Sequence, residues 1–434
     1  MKHIIVIGGG FAGTNFIRHL QNREDFRFTL VDRNNYNFFP PLLYQVATGF
    51  LEPSSISYPF RRLFGKTNVR FRLAEFVEVK PTENKVILST GSLSYDFLVF
   101  STGTETNFFD NQNVKRNVLP MKTINDALEL RNHMLETMEK AAIETNVKER
   151  TKLLTAVIAG AGPTGVEVAG MLREMGKIIL SKDYPEFSDG YESHVYLVSG
   201  GATVLSPMAE PSQKATQDAL EKLGVEIKLN VRVVNYENDI VSLSNGETIE
   251  TKSLVWAAGV SASILQGIPS GAYGKGSRLK VDEFNKVNGL SNIYAIGDTC
   301  IQTSDKNFPG GHPQVAQVAL QQGKKLARNF AAMITEKKPE PFTYKDKGSM
   351  AIIGWNKAVA DIPYPGIHLK GFPAWFVWVF IHLFSLITVR NRVNTFFNWS
   401  RSYFTRDHSL RMIFRPNVKS SGKESFRTET TLVP

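Results

Sequence analysis

Two short runs in the 434-residue chain set glycines where phosphates could be held. The first is Gly8-Gly9-Gly10-Phe11-Ala12-Gly13, directly after the apolar run Ile4–Ile7. Gly8 permits a tight turn out of a strand. Gly10 removes the side chain that would block a pyrophosphate, and Gly13 lets helix and strand pack closely. Phe11 and Ala12 belong to the same turn and count with it as ligand contacts. The phosphates would sit at a helix N-terminus, where free N–H groups and the dipole favour anions. Asp32 closes the next apolar run, Phe28–Val31, where a carboxylate would accept a ribose 2′-OH. A Gly-rich turn without a ligand would show the same glycines, but not the strand before, the helix after and the acid at the next strand end.

The second run is Gly160-Ala161-Gly162-Pro163-Thr164-Gly165, after the strand Ala156–Ala159. Gly160, Gly162 and Gly165 repeat the first pattern, and Pro163 suits an early helix position, with Thr164 beside it. Two such units suggest two nucleotides, a flavin dinucleotide and a nicotinamide dinucleotide; an inactive second copy is the alternative. Ser199 ends the next strand, Val195–Val198, where the second unit would carry its acid. A carboxylate there would accept the ribose hydroxyl of NADH and repel the 2′-phosphate of NADPH. Serine does neither strongly, and no Arg stands close by in the sequence to neutralise a phosphate. NADH remains the substrate if Ser199 bonds the ribose, and NADPH stays open.

The elements that must position these loops follow from the same punctuation. Helices are expected from Thr14 to Gln21 and from Val166, with a polar-faced helix, Asn125–Ile143, joining the two units. The buried-strand runs Phe97–Phe100, Leu254–Trp256 and Ile293–Ile296 end in Ser101-Thr102-Gly103, Ala257-Ala258-Gly259 and Gly297-Asp298. Gly259 is counted with the second nucleotide. Gly297 and Asp298 offer an N–H and a carboxylate that could hold a ribityl chain, or the Asp could simply cap the next segment.

Length gives a prior of about three domains. The chain carries 51 Lys and Arg against 41 Asp and Glu, a net charge of +10. Nine of the basic residues and three of the acids fall between Ser385 and Pro434, so most of the excess is local. It adjoins Phe372–Val389, an 18-residue stretch without Asp, Glu, Lys or Arg. About 20 apolar residues are wanted for a span, and Pro373 and His382 interrupt this stretch. An interfacial attachment to an anionic lipid surface is the preferred reading, with a span and a dimer interface as alternatives. His382 reads as a packed helix residue rather than a proton donor. Nucleic acid is poorly supported, because the basic residues track an apolar helix. The one cysteine, Cys300, excludes a redox-active Cys pair and a Cys-based zinc site and fits a reducing compartment. No metal site is expected. The N-terminus shows neither a signal stretch nor a transit segment, so the chain is expected to be made and kept in the cytosol.

With these residues in view, the chain resembles the type II NADH dehydrogenases, the single-subunit NADH:quinone oxidoreductases of the two-dinucleotide-binding flavoproteins. The likeness runs to about Phe414. Its specific pieces are Phe39–Gly49 (FPPLLYQVATG), Gly160–Glu167 (GAGPTGVE), Ala316–Gln321 (AQVALQ), Gly348–Gly354 with Ala374-Trp375, and Arg390-Asn391-Arg392.

The resemblance implies an α/β fold: two Rossmann-like dinucleotide-binding domains plus a C-terminal helical membrane-attachment module. The division expected is 1–120 with 290–340 for FAD, 121–289 for NAD(P)H, 341–415 for attachment, and a disordered tail over 416–434. It implies hydride transfer from NADH to FAD, then two-electron reduction of a membrane quinone, without proton pumping. It also implies a homodimer, and attachment at the cytoplasmic face of the cell membrane.

The resemblance further places Glu167 beside nicotinamide and flavin, with Lys347 near both. Each has a bland alternative, a first-turn helix acid and a solvated lysine. Gln317 and Gln321, four apart on one helix face, would donate amides to the quinone with Ala316 beside them, or form a polar surface stripe. Thr48, Gly49, Thr102 and Gly103 would contact FAD, and Phe76 or Val77 its adenine. Ser199 is the clearest departure, since many members carry Glu or Asp there. A ferredoxin-type reductase and a non-enzymatic flavin redox sensor are the competing readings.

Overall fold

The apolar runs become strands buried on both faces, as parallel sheets require. The computed structural model describes residues 1–187, 193–405 and 410–414; the tail expected at 416–434 lies outside the described residues. Lys2–Ile7 sits between Phe26–Asp32 and Phe97–Phe100, with Val69–Leu73 and Ile293–Ala295 at the edges of an all-parallel sheet. Ile4, Ile5 and Val6 have no solvent exposure. The chain leaves this central strand to one side and later returns on the other, which opens a crevice at its carboxyl end. The second sheet repeats the plan, in the order Leu119–Pro120, Ser253–Trp256, Thr155–Ala159, His194–Ser199, Val225–Leu229.

Six helices position the site: α1 (Phe11–Leu20), α2 (Ile124–Ile143), α3 (Pro163–Asp183), α4 (Ala316–Ile334), α5 (Phe372–Ser385) and α6 (Val389–Thr405). Helix α1 begins three residues before the expected Thr14, because Gly10 already has the extended backbone of an N-cap. Helix α3 begins at Pro163 rather than Val166. Proline's fixed φ suits the first helical position, and its missing N–H is lost nothing there. Helix α2 is started by a capping box, with Thr123 and Asp126 bonding each other's backbone N–H. Helix α4 packs on α1 at Gly323, where a side chain would run into the Ala12 carbonyl. Two turns further along α4, Phe330 meets Phe16 edge to face at 5.4 Å.

A three-stranded antiparallel sheet follows, Ser349–Gly354, Lys357–Ile362 and Ile367–Gly371. The long apolar stretch after it does not make one helix. Helix α5 ends at Ser385, Leu386 is extended, and α6 starts at Val389. Among the described residues no helix is long and apolar enough to cross a membrane. Helix α6 is inverted relative to a core helix. Its aromatic face, with Phe396, Phe397 and Phe404, is exposed, while Asn391 and Thr395 are buried.

The polar face has a fixed partner. The Asn391 amide nitrogen lies 2.9–3.1 Å from the carbonyl oxygens of Ser54, Ser55 and Ser57. Thr395 donates to the Ser55 carbonyl and Asn398 to the Ser55 hydroxyl. Removing the Asn391 amide leaves buried carbonyls without a donor, at about 1–3 kcal/mol for the unmet groups. Asn391→Ala is therefore expected to lose about 2–3 kcal/mol and to be cut by protease around 386–398 before the rest of the chain opens. Uniform loss of protection in a limited-proteolysis series would mean that Asn391 does not anchor this helix.

Candidate dinucleotide and electron-transfer site

The first loop leaves its strand at Gly8, with φ +101. Any side chain there would strike the Ser101 carbonyl, and one at Gly13 would strike the Gly8 carbonyl. At Gly10, by contrast, a side chain would meet nothing within 4 Å. The N-terminus of α1 therefore opens onto free space with first-turn N–H groups unpaired by the helix. Asp32 is partly committed, since its two carboxylate oxygens accept the N–H groups of Gly9 and Asn34, each at 2.7 Å. Desolvation pushes this carboxyl up, against the pull of those two hydrogen bonds. Phe11 packs edge to face on Phe39 at 5.5 Å, and Ala12 lies against Gly297.

Gly297, at φ +75, has no room for a side chain beside Ala12, and its N–H donates to Gln322 Oε1 at 2.7 Å. The next carboxyl, Asp298, accepts no hydrogen bond among the described residues. Desolvation pushes it up, and the charges of Lys122 and Arg278 pull it down. Around it stand Thr102, bonded to the Thr299 hydroxyl at 3.0 Å, and Gly103 at φ +69. Thr48 is buried and donates to the Tyr44 carbonyl at 2.8 Å, and Gly49 turns at φ +73 beside the Leu410 carbonyl. Val77 is exposed, next to Phe76, which packs on Phe100. An open glycine cradle and a carboxylate without a protein donor suit the pyrophosphate and ribityl hydroxyls of FAD.

The second loop is built alike. Gly160 turns at φ +107 against the Ala257 carbonyl, Gly165 backs onto the Gly160 carbonyl, and a side chain at Gly162 would meet nothing within 4 Å. Pro163 and Thr164 are exposed at the start of α3. Gly259 lies under the Phe109 ring. Ser199 Oγ accepts the Gly201 N–H at 3.2 Å. The sequence suggests no Arg here, and the structure corrects that: Arg232 lies across Gly200, thirty-three residues on from Ser199 but side by side in the fold.

One turn into α3, Glu167 is buried where that helix meets the C-terminal sheet. Burial pushes its carboxyl well above the usual range, and the Ile352 N–H pulls it back only in part. Lys347 stands apart from it as an exposed side chain. Among the described residues no ion pair joins the two. The buried neighbour is instead the Tyr44 hydroxyl, which accepts from Gln45 at 2.9 Å, while Gln45 Oε1 accepts from Trp399 of α6 at 2.6 Å.

Gln317 and Gln321 are brought to one face of α4, but their amides are largely spent. Gln317 donates to the Gly348 carbonyl at 2.8 Å and accepts the Lys347 N–H. Gln321 does the same with the carbonyl and N–H of Lys345. Each keeps a second amide N–H, and Ala316 opens the helix beside them. Gln322 reads in the sequence as one more surface Gln; it is buried and holds the Gly297 turn. His382 stacks on Trp378 at 4.0 Å, donates to its carbonyl and is pushed down to about 4, so it packs uncharged. The Cys300 thiol is buried and pushed up to about 12, which makes it inert.

Comparison with known proteins agrees with this geometry. Residues 2–323 match the pyridine nucleotide-disulphide oxidoreductase family, and 347–407 match the NDH2 C-terminal domain. The chain is 34% identical to the type II NADH:quinone oxidoreductase NdhA of Mycobacterium tuberculosis over 93% of its length and 87% of that protein's. In fold it is similar to NDH2 from Plasmodium falciparum, solved with NADH, at a TM-score of 0.86 and 22% identity, covering 95% of this chain and all of that one. The sulfide:quinone oxidoreductase of Aquifex aeolicus shares the fold at a TM-score of 0.70 and 21% identity, over 94% of this chain and 96% of that one.

The buried carboxyl gives a measurable pH dependence. Its folded-state value lies above the ordinary 4.5, so the folded protein keeps a proton that the unfolded chain releases. Stability from this group therefore falls as pH rises from about 4.5 towards the raised value. Thermal unfolding of the wild type and Glu167→Gln, followed from pH 5 to 8, should show the variant gaining on the wild type as pH rises. Parallel curves would show that Glu167 is ionised in a hydrated pocket.

Proposed function

The chain belongs to the type II NADH:quinone oxidoreductases, within the pyridine nucleotide-disulphide oxidoreductase family, and we propose how its own residues serve that reaction. It oxidises NADH and reduces a quinone without pumping protons, as a respiratory enzyme. FAD, when bound, would supply the chemistry that accepts a hydride from NADH and passes two electrons to the quinone. One observation carries the assignment of parts. Gly10 and Gly162 both leave open space at helix N-termini, and a buried carboxyl lies one turn beyond the second.

We assign 1–120 with 290–340 to FAD and 121–289 to NADH. The α1 N-terminus holds the flavin pyrophosphate, the spare lone pairs of Asp32 meet its ribose, and Asp298 accepts from its ribityl hydroxyls. Thr48, Gly49, Thr102 and Gly103 line its path, with Val77 at the adenine edge. The α3 N-terminus holds the NADH pyrophosphate, with Gly259 opposite. Glu167, in a buried site that favours the protonated form of its carboxyl, is placed where nicotinamide and flavin meet and can hold a proton there. Lys347 contributes positive charge from the solvent side, without a direct pair to Glu167. Ala316, Gln317 and Gln321 form the wall a quinone approaches, and the second amide N–H of each Gln is the donor left for it.

The C-terminal module, 341–415, attaches to an anionic lipid surface. Phe376, Phe380 and Phe384 of α5 and Phe396, Phe397 and Phe404 of α6 are exposed, as are Arg390 and Arg401, and Arg392 lies over the Phe384 ring. Aromatic and basic residues on one surface suit the interface of a bilayer. We place that surface at the cytoplasmic face of the cell membrane, on family resemblance. A homodimer remains part of the proposal on family resemblance alone.

Two measurements test this reading. Under anaerobic conditions NADH should bleach the flavin absorbance of the purified protein, and an added quinone should restore it. A flavin that stays oxidised with NADH overturns the assignment. Replacing Phe376, Phe380 and Phe384 together by Ser should abolish co-sedimentation with phosphatidylserine-containing vesicles, with flavin bleaching as the folding control. Undiminished sedimentation would remove α5 from the lipid contact.

A further inference from the structure

We propose that Arg232 makes the second nucleotide site accept a 2′-phosphate, so that the protein oxidises NADPH as well as NADH. The inference rests on reading the second loop as the nicotinamide-dinucleotide unit and goes beyond it in naming a second substrate. In such a unit the adenine-side ribose lies at the end of the second strand, where a carboxylate selects NADH and a nearby Arg accommodates the 2′-phosphate of NADPH.

Here the strand His194–Ser199 ends in a hydroxyl. Ser199 Oγ accepts the Gly201 N–H, which leaves its own proton free to donate. The turn Gly200-Gly201-Ala202-Thr203 that follows adds no acid. The neighbouring segment is tied to it through the Asn230 N–H on the Gly201 carbonyl and the Val231 N–H on the Ser199 carbonyl, each at 3.0 Å. Those two bonds bring Arg232 alongside. A Cβ at Gly200 would lie 2.7 Å from Arg232 Cγ and 2.8 Å from its Nε, so the guanidinium stem crosses the turn where glycine leaves room.

Charge points the same way. Arg232 is exposed, and it forms no ion pair with a carboxylate among the described residues. Neither 199–209 nor 227–236 contains Asp or Glu. The carboxylate of Glu247, on the adjoining hairpin, is taken by Lys228 at 2.6 Å. The ribose end of the site therefore lacks the carboxylate that would repel a phosphate. It presents a planar cation suited to bidentate phosphate contact and a hydroxyl donor. A hydrogen bond to a charged group contributes about 1.5–3 kcal/mol, so its loss should change relative affinity by about tenfold or more.

The test is the ratio of kcat/KM for NADPH to that for NADH, measured on the flavin-loaded protein. NADPH should be oxidised at a readily measured rate. Arg232→Ala should lower the ratio about tenfold or more, Arg232→Lys should lower it less, and Ser199→Glu should lower it by restoring the acid. Titration with 2′,5′-ADP and with 5′-ADP should show tighter binding of the 2′-phosphate compound, lost in Arg232→Ala and weakened by salt. A ratio below about one-hundredth that does not move in Arg232→Ala overturns the proposal, as does equal binding of the two ADP compounds. Were neither NADH nor NADPH to bleach the flavin, the oxidoreductase reading itself would fall, and the 2′,5′-ADP titration would then decide the Arg232 assignment alone.

Discussion

Helix α3 lies so close along the strand Ser349–Gly354 that a side chain at Gly170 would run into the Ile353 carbonyl. That contact fixes the geometry of everything around it. Glu167, Gly170 and Glu174 are spaced by three and four residues and so share one face of the helix. Glu167 faces the Ile352 N–H, Gly170 receives the Ile353 carbonyl, and Glu174 accepts the Trp355 N–H with both oxygens, at 2.8 and 3.0 Å. The same helix begins at Gly162 with an open anion site. One rigid element thus sets the distance from that open helix end to the buried carboxyl and to the C-terminal module. A larger residue at Gly170 would push the module away and wet the carboxyl between them.

Helix α4 performs the corresponding task for the first unit. It touches α1 through Gly323, holds the Gly297 turn through Gln322, and clamps Lys345–Gly348 through Gln317 and Gln321. These amides act as struts between the flavin-side turn and the entry to the C-terminal sheet. An amide suits that task because it donates and accepts at once and carries no charge to desolvate. The polar groups nearest the proposed quinone wall are therefore set in position by the backbone they hold. Ionisable chemistry is left to Glu167, which has no cation paired to it among the described residues.

The parts of this arrangement that depend on backbone were legible in the sequence. Gly8, Gly10 and Gly13, and their counterparts at 160, 162 and 165, announce a turn, an open approach and a close packing through the absence of side chains. Each of these appears where it was expected. Helices α1 and α3 start three residues before the sequence suggests, because Gly10 and Gly162 serve as N-caps and Pro163 as a first helical residue. Contacts between residues distant in the chain left no such trace. Arg232 reaches Gly200 only through strand pairing, Gln322 looks like its neighbours until the Gly297 turn is folded over it, and Asn391 finds Ser54–Ser57 across more than three hundred residues. The sequence shows the aromatic and polar residues of α6 but not the Ser54–Ser57 carbonyls that claim its polar face.

That claim decides how the protein can meet a membrane. With Asn391, Thr395 and Asn398 committed to the Ser54–Ser57 segment, α6 cannot turn its aromatic face inward without leaving those carbonyls unmet. Helix α5 is held by its buried Trp378 and Ala374, so Phe376, Phe380 and Phe384 stay outside as well. Fully burying a Phe gives about 1.5–3 kcal/mol, and these side chains are roughly half-exposed, so six of them would gain about 5–9 kcal/mol on entering lipid. Basic residues at an anionic surface add about 1 kcal/mol each. Such a sum supports firm but reversible attachment. The break at Leu386 prevents the two helices from merging into one long apolar helix.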